Sequence, residues 1–262
     1  SGRAFISLKA VVANGHVICN SQAVPAGGDC DPILLERFGS LEQGAQTWLD
    51  TVVGHLDRPL LPGPPLIMAA EGNDIADFFN EVQMSCSGAQ LAATSLANEA
   101  AGFPQIVRRR DVLTAYPYTN TLTVLRVTGA VLRRAMERSA EYFAVDEDGR
   151  LCVADSFLKP KVEHYNYDYY AGVDYAIDVS KPVGQRITAL TYQGKTVRDG
   201  DEFTICLNSY RASGAGGYPE YTRCPIVREI NVEMSDLILD FFKSHPKLSL
   251  KTRRWFTVFM SP

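Results

Sequence analysis

The chain has 262 residues, 46% hydrophobic and 21% charged, a balance that suits one sizeable core or two small ones and excludes a disordered chain. Its formal net charge of -4 gives no electrostatic footprint for a nucleic acid duplex, which needs clustered Lys and Arg, and the one basic run is Arg108 to Arg110. No run of eighteen apolar residues is present, so no membrane span is expected.

The sequence opens SGRAFISLKAVV, already inside a strand pattern and without a signal peptide. A piece of a longer, exported protein is expected to read this way. Two β-rich runs in residues 5–24 flank Asn14-Gly15, the strongest short hairpin signal. A Gly-, Pro- and Asp-rich loop, PAGGDCDP, follows. In LEQGAQTWLDTVVGHLD the residues Trp48, Leu49, Val52, Val53 and Leu56 recur at helical spacing. The proline-laden RPLLPGPP then reads as a linker that ends this helix. The expected divisions are therefore 1–40, which carries the hairpin, 41–65 for the helix and linker, and 66–262 for the main domain.

From residue 66 the elements alternate. EGNDIADFFNEVQMSC puts Ile75, Phe78, Phe79 and Val82 on one helical face behind a cap at Asn73 or Asp74. A short strand, QLAATSL, comes next. RDVLTAYPYTNTLTVLRVTG passes from a helical turn through a polar aromatic loop into a β-rich run, and GAVLRRAMERSAEYF is a helix behind Thr128. GVDYAIDVS alternates with period two, QRITALTYQGKTV is a hairpin around Gln193-Gly194, EFTICLNS is a strand, and EMSDLILDFFKSH is a closing helix. Without a regular βαβ rhythm, the order predicts an α+β fold of mixed β-sheets with helices on the outer faces.

The usual catalytic constellations do not occur. His16, His55, His164 and His245 stand in no metal-binding spacing, and the six cysteines are scattered, so zinc is not expected and free thiols are favoured over disulfides. There is no G-x-S-x-G elbow, and GAGGY lacks the Lys-Ser/Thr ending of a phosphate loop. Asp146, Glu147 and Asp148 read as a solvated turn. The tyrosines of HYNYDYYAGVDY read first as packing of a loop onto a sheet, with ligand contact as the second reading.

Two loops are left. Tyr118 precedes Thr119 and Asn120 at the start of a strand, and Tyr210 follows a strand and leads into Gly214, Gly216 and Gly217. From neighbouring strand ends the two rings could face each other and form a slot for a flat heterocycle, with Asn120 at its polar edge. The glycines would let the backbone approach the ligand. The bland alternative is two unrelated core tyrosines.

TNTLTVLRVTGAVLRRAMERSAEYF, NYDYYAGVDYAIDVSKPVGQRI and LNSYRASGAGGYP, in that order, resemble the C-terminal domain of the 5'-nucleotidase family, in its 2',3'-cyclic-nucleotide 2'-phosphodiesterase/3'-nucleotidase branch. The resemblance covers roughly residues 66–262 and implies a layered α/β/β/α domain that holds the nucleoside or nucleotide. It also implies an N-terminal calcineurin-like metallophosphoesterase domain with two divalent metal ions as the partner in the same protein. Residues 1–40 would be the tail of that domain, and the present chain would itself be inactive. By the same resemblance, Tyr118 and Tyr210 sandwich the base, Asn120 contacts it, and Gly214, Gly216 and Gly217 line the ligand. Where 5'-nucleotidases proper carry an arginine in a Gly-Gly-x-Arg loop this chain reads TSLANEA, and Asn98 of that segment joins the substrate-binding set. The rival expectation is a non-catalytic nucleoside-binding or adhesion module of a larger surface protein.

Overall fold

A computed structural model describes residues 4–27, 30–250 and 253–261. Gly28 and Asp29 of the PAGGDCDP loop lie outside the described residues. The chain divides into two compact units, Ser1–Trp48 and Leu49–Pro262, and each is described by itself.

The first unit contains β1 (Ala4–Ala13), β2 (His16–Pro25) and most of α1 (Pro32–Leu49). Asn14 and Gly15 both take positive φ, 52° and 79°, the mirror-image turn that the Asn-Gly pair favours, and β1 and β2 pair antiparallel from Ala4↔Pro25 to Ala13↔His16. None of the described residues of this unit is buried. Phe5, Ile6, Leu8, Val12 and Ile18 on the hairpin are exposed, as are Ile33, Leu35, Phe38 and Leu41 on α1.

The second unit runs β3 (Val52–Leu56), α2 (Pro65–Glu71), α3 (Asp74–Ser87), β4 (Leu91–Thr94), β5 (Ile106–Arg108), α4 (Arg109–Ala115), β6 (Leu122–Thr128) and α5 (Gly129–Ala140). There follow β7 (Phe143–Val145), β8 (Leu151–Val153), β9 (Tyr169–Ala171), β10 (Asp174–Asp178), β11 (Ile187–Tyr192), β12 (Lys195–Thr196) and β13 (Glu202–Asn208). The short α6 (Ser209–Ala212), β14 (Ile226–Ile230), α7 (Met234–Ser244), β15 (Lys247–Leu248) and β16 (Phe256–Phe259) complete it.

The central sheet has the order β14-β6-β13-β4-β9, and a second sheet runs β12-β11-β10-β16. Both are mixed, because β13 pairs parallel to β4 and β10 parallel to β16 while their other pairings are antiparallel. Helix α3 packs on β4, β9 and β13, and α5 packs on β6 and β11. This is the α+β class expected, layered sheets with helices on their outer faces. The two helix starts read from sequence are formed as such: Asn73 Oδ1 accepts from the Ile75 N–H at 2.9 Å, and Thr128 Oγ1 from the Val131 N–H at 3.3 Å.

One element differs from expectation. Val52, Val53 and Leu56 are extended in β3, between β15 and β5, and the preceding helix begins at Pro32 and stops at Leu49. Their spacing fits a helix, yet β-branched valines suit a strand, and Gly54 makes the difference visible. A Cβ at Gly54 would meet the Phe242 ring on α7 at 2.2 Å, so the strand lies directly on that helix. The following proline-rich stretch is not a free linker either. Leu60 is fully buried and exchanges backbone hydrogen bonds of 2.9 Å with Phe103 in both directions.

The core against α3 and α7 is aromatic. Phe78 meets Phe103 edge-on at 5.3 Å between centroids, and Phe79 meets Tyr116 in the same way at 5.3 Å. Burying each such ring is worth about 1.5–3 kcal/mol relative to leaving it in water. This packing anchors Tyr116 at the mouth of the Tyr118 loop.

Candidate nucleoside-sized cavity at the ends of β6 and β13

The antiparallel register of β6 and β13 ends on Leu122↔Asn208, so the loop that enters β6 and the helix that leaves β13 lie side by side. The Ser209 N–H continues the ladder to the Thr121 carbonyl at 2.8 Å. Residues some ninety positions apart in sequence are thereby brought to the same end of two neighbouring interior strands. Between them lies a cavity of about 410 Å³.

Tyr118, Asn120, Tyr210 and Asn98, all singled out from the sequence, line it. Tyr118 is 40% exposed and Tyr210 43%, which removes the reading of both as core residues. Five further lining residues were not singled out for the site: Ser95, Tyr116, Lys161, Tyr165 and Asn208. Asn208 had a legible signal, a polar residue between a strand and a helical turn. Tyr165 belonged to the tyrosine run, whose other members, Tyr167, Tyr169, Tyr170 and Tyr175, are buried as packing. Lys161 had none.

Asn208 caps α6. Its Oδ1 accepts from the Arg211 N–H at 2.7 Å, which leaves its amide group to hydrogen-bond Tyr116. Burial pushes the Tyr116 hydroxyl up to about 12, against hydrogen bonds from Asn120 and Asn208. Tyr118 is also raised, by burial and then by Tyr165, with Lys161 pulling the other way and Tyr210 adding to the rise. Both phenols are therefore neutral near pH 7. The cavity wall offers aromatic faces, amide groups and hydroxyls.

Consecutive residues of α6 serve opposite sides. Tyr210 faces the cavity, whereas Arg211 is 1% exposed and reaches back to Asp168, Nε to Oδ2 at 2.8 Å and Nη2 to Oδ1 at 2.9 Å. Burial works against the Arg211 charge, but Asp168 more than restores it and the guanidinium pKa is raised. Arg211 also donates to the Ala215 carbonyl at 2.6 Å and the Tyr165 carbonyl at 3.0 Å, and its guanidinium lies 4.1 Å from the centre of the Tyr218 ring. It thus ties the glycine loop to the strap that carries Tyr165.

The glycines themselves correct the sequence reading. Gly214, Gly216 and Gly217 do not line the cavity. They take φ of +83°, +74° and +90°, and a Cβ at Gly216 would sit 2.1 Å from Arg211 Nη1 and 2.3 Å from Asn166 Oδ1. One at Gly217 would meet Arg138 Nε at 2.5 Å, and one at Gly214 the Thr222 methyl at 2.4 Å. The clearance they provide is for the protein's own side chains.

The Asp146 turn faces water as read, with Asp146 Oδ1 accepting from the Asp148 and Arg150 N–H groups at 3.0 and 2.8 Å. All six cysteines are free thiols. Among the described residues no group of three or more His, Cys, Asp or Glu side chains could hold a metal ion, and the cavity's phenols, amides and single ammonium are not a divalent-ion donor set. A two-metal centre does not fit the described residues of this chain. No helix among the described residues is long and apolar enough to cross a membrane.

The model of the 5'-nucleotidase C-terminal domain family matches residues 52–223, and the chain belongs to that family. It is 30% identical over 167 residues to the trifunctional nucleotide phosphoesterase protein YfkN of Bacillus subtilis, a match covering 59% of this chain and 11% of that protein. To the 2',3'-cyclic-nucleotide 2'-phosphodiesterase/3'-nucleotidase of Haemophilus influenzae it is 30% identical over 179 residues, 60% of this chain and 26% of that protein. Among solved structures, a Staphylococcus aureus protein assigned as a 5'-nucleotidase superposes with a TM-score of 0.83 at 34% identity, covering 96% of this chain and 49% of that one. A 5'-nucleotidase precursor from Thermus thermophilus gives 0.70 at 15% identity, over 100% of this chain and 51% of that one, a likeness of fold alone. The chain spans about half the length of these solved relatives and less of the curated ones.

Proposed function

We propose that this chain is the substrate-binding part of an exported phosphohydrolase acting on 2',3'-cyclic nucleotides and 3'-nucleotides. The base enters the cavity between the rings of Tyr118 and Tyr210, and Asn120 meets its polar edge. Stacking on an aromatic ring is worth about 1–3 kcal/mol per base. The observation that carries this reading is the juxtaposition of the two half-exposed tyrosines with Asn120 in one cavity at the ends of β6 and β13. Relatives named for that pair of activities at about 30% identity point the same way.

The chain's own residues bind and orient. Tyr116 takes hydrogen bonds from both Asn120 and Asn208, which ties the Asn120 amide to the cavity wall. The buried Arg211–Asp168 pair fixes the backbone from which Tyr210 projects. An N-terminal metallophosphoesterase domain of the same protein would supply the hydrolytic chemistry through two divalent ions, and the residues of this chain would hold and orient the nucleotide for it. The hairpin β1–β2, with Phe5, Ile6 and Leu8 exposed, supports its assignment to the tail of that larger domain, residues 1–40, whereas the second half of the expected 41–65 joining segment, with β3 and the buried Leu60, goes with the binding domain.

The test compares this chain with the full-length protein on 2',3'-cyclic AMP and 3'-AMP with added Mn²⁺. The full-length protein should hydrolyse both, and this chain should bind them and hydrolyse neither. Turnover by this chain alone would refute the division of labour.

A further inference from the structure

Among the residues that line the cavity, Lys161 is the one that carries a charge, and the other lining groups are phenols, amides and a hydroxyl. Its ammonium lies 2.9 Å from Tyr165 Oη. That hydroxyl has its proton committed elsewhere, donated to Glu163 Oε1 at 3.1 Å, so it receives Lys161 through a lone pair. The second Glu163 oxygen is occupied by Asn166 Nδ2 at 2.9 Å. Asn166 is itself buried, so Glu163 is held from behind by a fixed group.

The arrangement has direction. Donors and acceptors run from Lys161 to Tyr165 to Glu163, and Asn166 closes the far end. Glu163 is spent on Tyr165 and Asn166, and among the described residues no carboxylate lies within ion-pair distance of Lys161. An ammonium has further donors after one contact with a phenol oxygen. A cation oriented by a hydrogen bond, placed in the wall of an otherwise uncharged cavity, with its nearby carboxylate Glu163 held off in contacts to Tyr165 and Asn166, suits an anionic group on the ligand. The Tyr118 and Tyr210 phenols are both near enough to interact electrostatically with Lys161, so the anion would lie beside the stacked base rather than at a separate surface.

We infer that Lys161 is the residue that makes this cavity prefer a nucleotide over the parent nucleoside, by meeting the phosphate ester while Tyr118 and Tyr210 hold the base. The inference rests on the nucleoside reading of the same cavity and adds the charge selectivity that stacking cannot give, since stacking accepts a nucleoside and its phosphate alike. Tyr165 is the positioning residue. It aims the ammonium and need not touch the ligand.

The experiment is calorimetric titration of adenosine and of 3'-AMP into the 262-residue chain and its Lys161→Ala, Lys161→Arg and Tyr165→Phe variants, at low and high salt. Wild type should bind 3'-AMP about fivefold more tightly than adenosine, as expected of one partly exposed ion pair, and the margin should shrink as salt rises. Lys161→Ala should bring 3'-AMP down to the affinity of adenosine and leave adenosine within a factor of about two. Lys161→Arg should keep the preference, and Tyr165→Phe should reduce it without abolishing it. Equal loss of both ligands in Lys161→Ala would assign the lysine to packing and overturn the inference. Equal affinity of wild type for the two ligands would overturn it while leaving the nucleoside reading intact. Failure of wild type to bind adenosine and 3'-AMP alike would instead overturn the nucleoside reading and this inference with it.

Discussion

Arg211 and Asp168 form a two-point ion pair sealed from solvent, with side chains 1% and 2% exposed, one residue behind the exposed ring of Tyr210. A pair this deep is costly to break from one side, because the remaining charge is left buried and uncompensated. Asp168→Ala should therefore lower stability by about 3–5 kcal/mol. Urea denaturation followed by circular dichroism measures it, and a loss below about 1 kcal/mol would show that the pair does not hold the loop.

The glycine loop gives a second outcome. Gly216→Ala combines a φ of +74° with a Cβ 2.1 Å from Arg211 Nη1. Strain and displacement of a buried guanidinium together should cost about 2–4 kcal/mol. Thermal melts report it. Adenosine affinity of the folded fraction should fall less than in Tyr210→Ala, since this glycine does not line the cavity and acts on it only through Arg211. A large affinity loss with unchanged stability would return the glycine to the ligand's side.

On α3, Asp77 is pushed up to about 7 by burial, then by Asp74 and Glu81. The folded protein thus holds a proton that the unfolded chain, with an ordinary carboxylate near 3.8, releases. The stability from this group is fully present below that lower value and is lost as pH rises through about 7. Asp77→Asn should raise the melting temperature at about pH 8 and flatten its fall from about pH 5 to 8. Parallel profiles for the two proteins would contradict the assignment.

Local chemistry made much of this fold legible. The hairpins at Asn14-Gly15 and Gln193-Gly194 follow from residues that accept positive φ, and the caps at Asn73 and Thr128 follow from a side-chain oxygen placed before an apolar run. Val52–Leu56 was misread because five residues satisfy a helical spacing by chance, and only the ring of Phe242, far away in sequence, requires a strand with Gly54 there. The glycine loop shows the same limit. Its positive φ values could be anticipated, but the side chains that need the space are Arg211, Asn166 and Arg138. At the cavity, strand-end tyrosines and an asparagine stood out. Lys161 and Tyr165 arrive on an irregular segment whose path no periodicity encodes.

The account's central claim is that the cavity between Tyr118 and Tyr210 takes a nucleobase. Titration of adenosine into the wild-type chain and into Tyr118→Ala and Tyr210→Ala tests it most directly. Saturable one-site binding is expected in wild type, and each variant should weaken it by about 1–3 kcal/mol, roughly fivefold to a hundredfold or more. Because both rings are exposed, the melting temperature should stay close to that of wild type. Unchanged adenosine affinity in a folded Tyr210→Ala protein would contradict the claim.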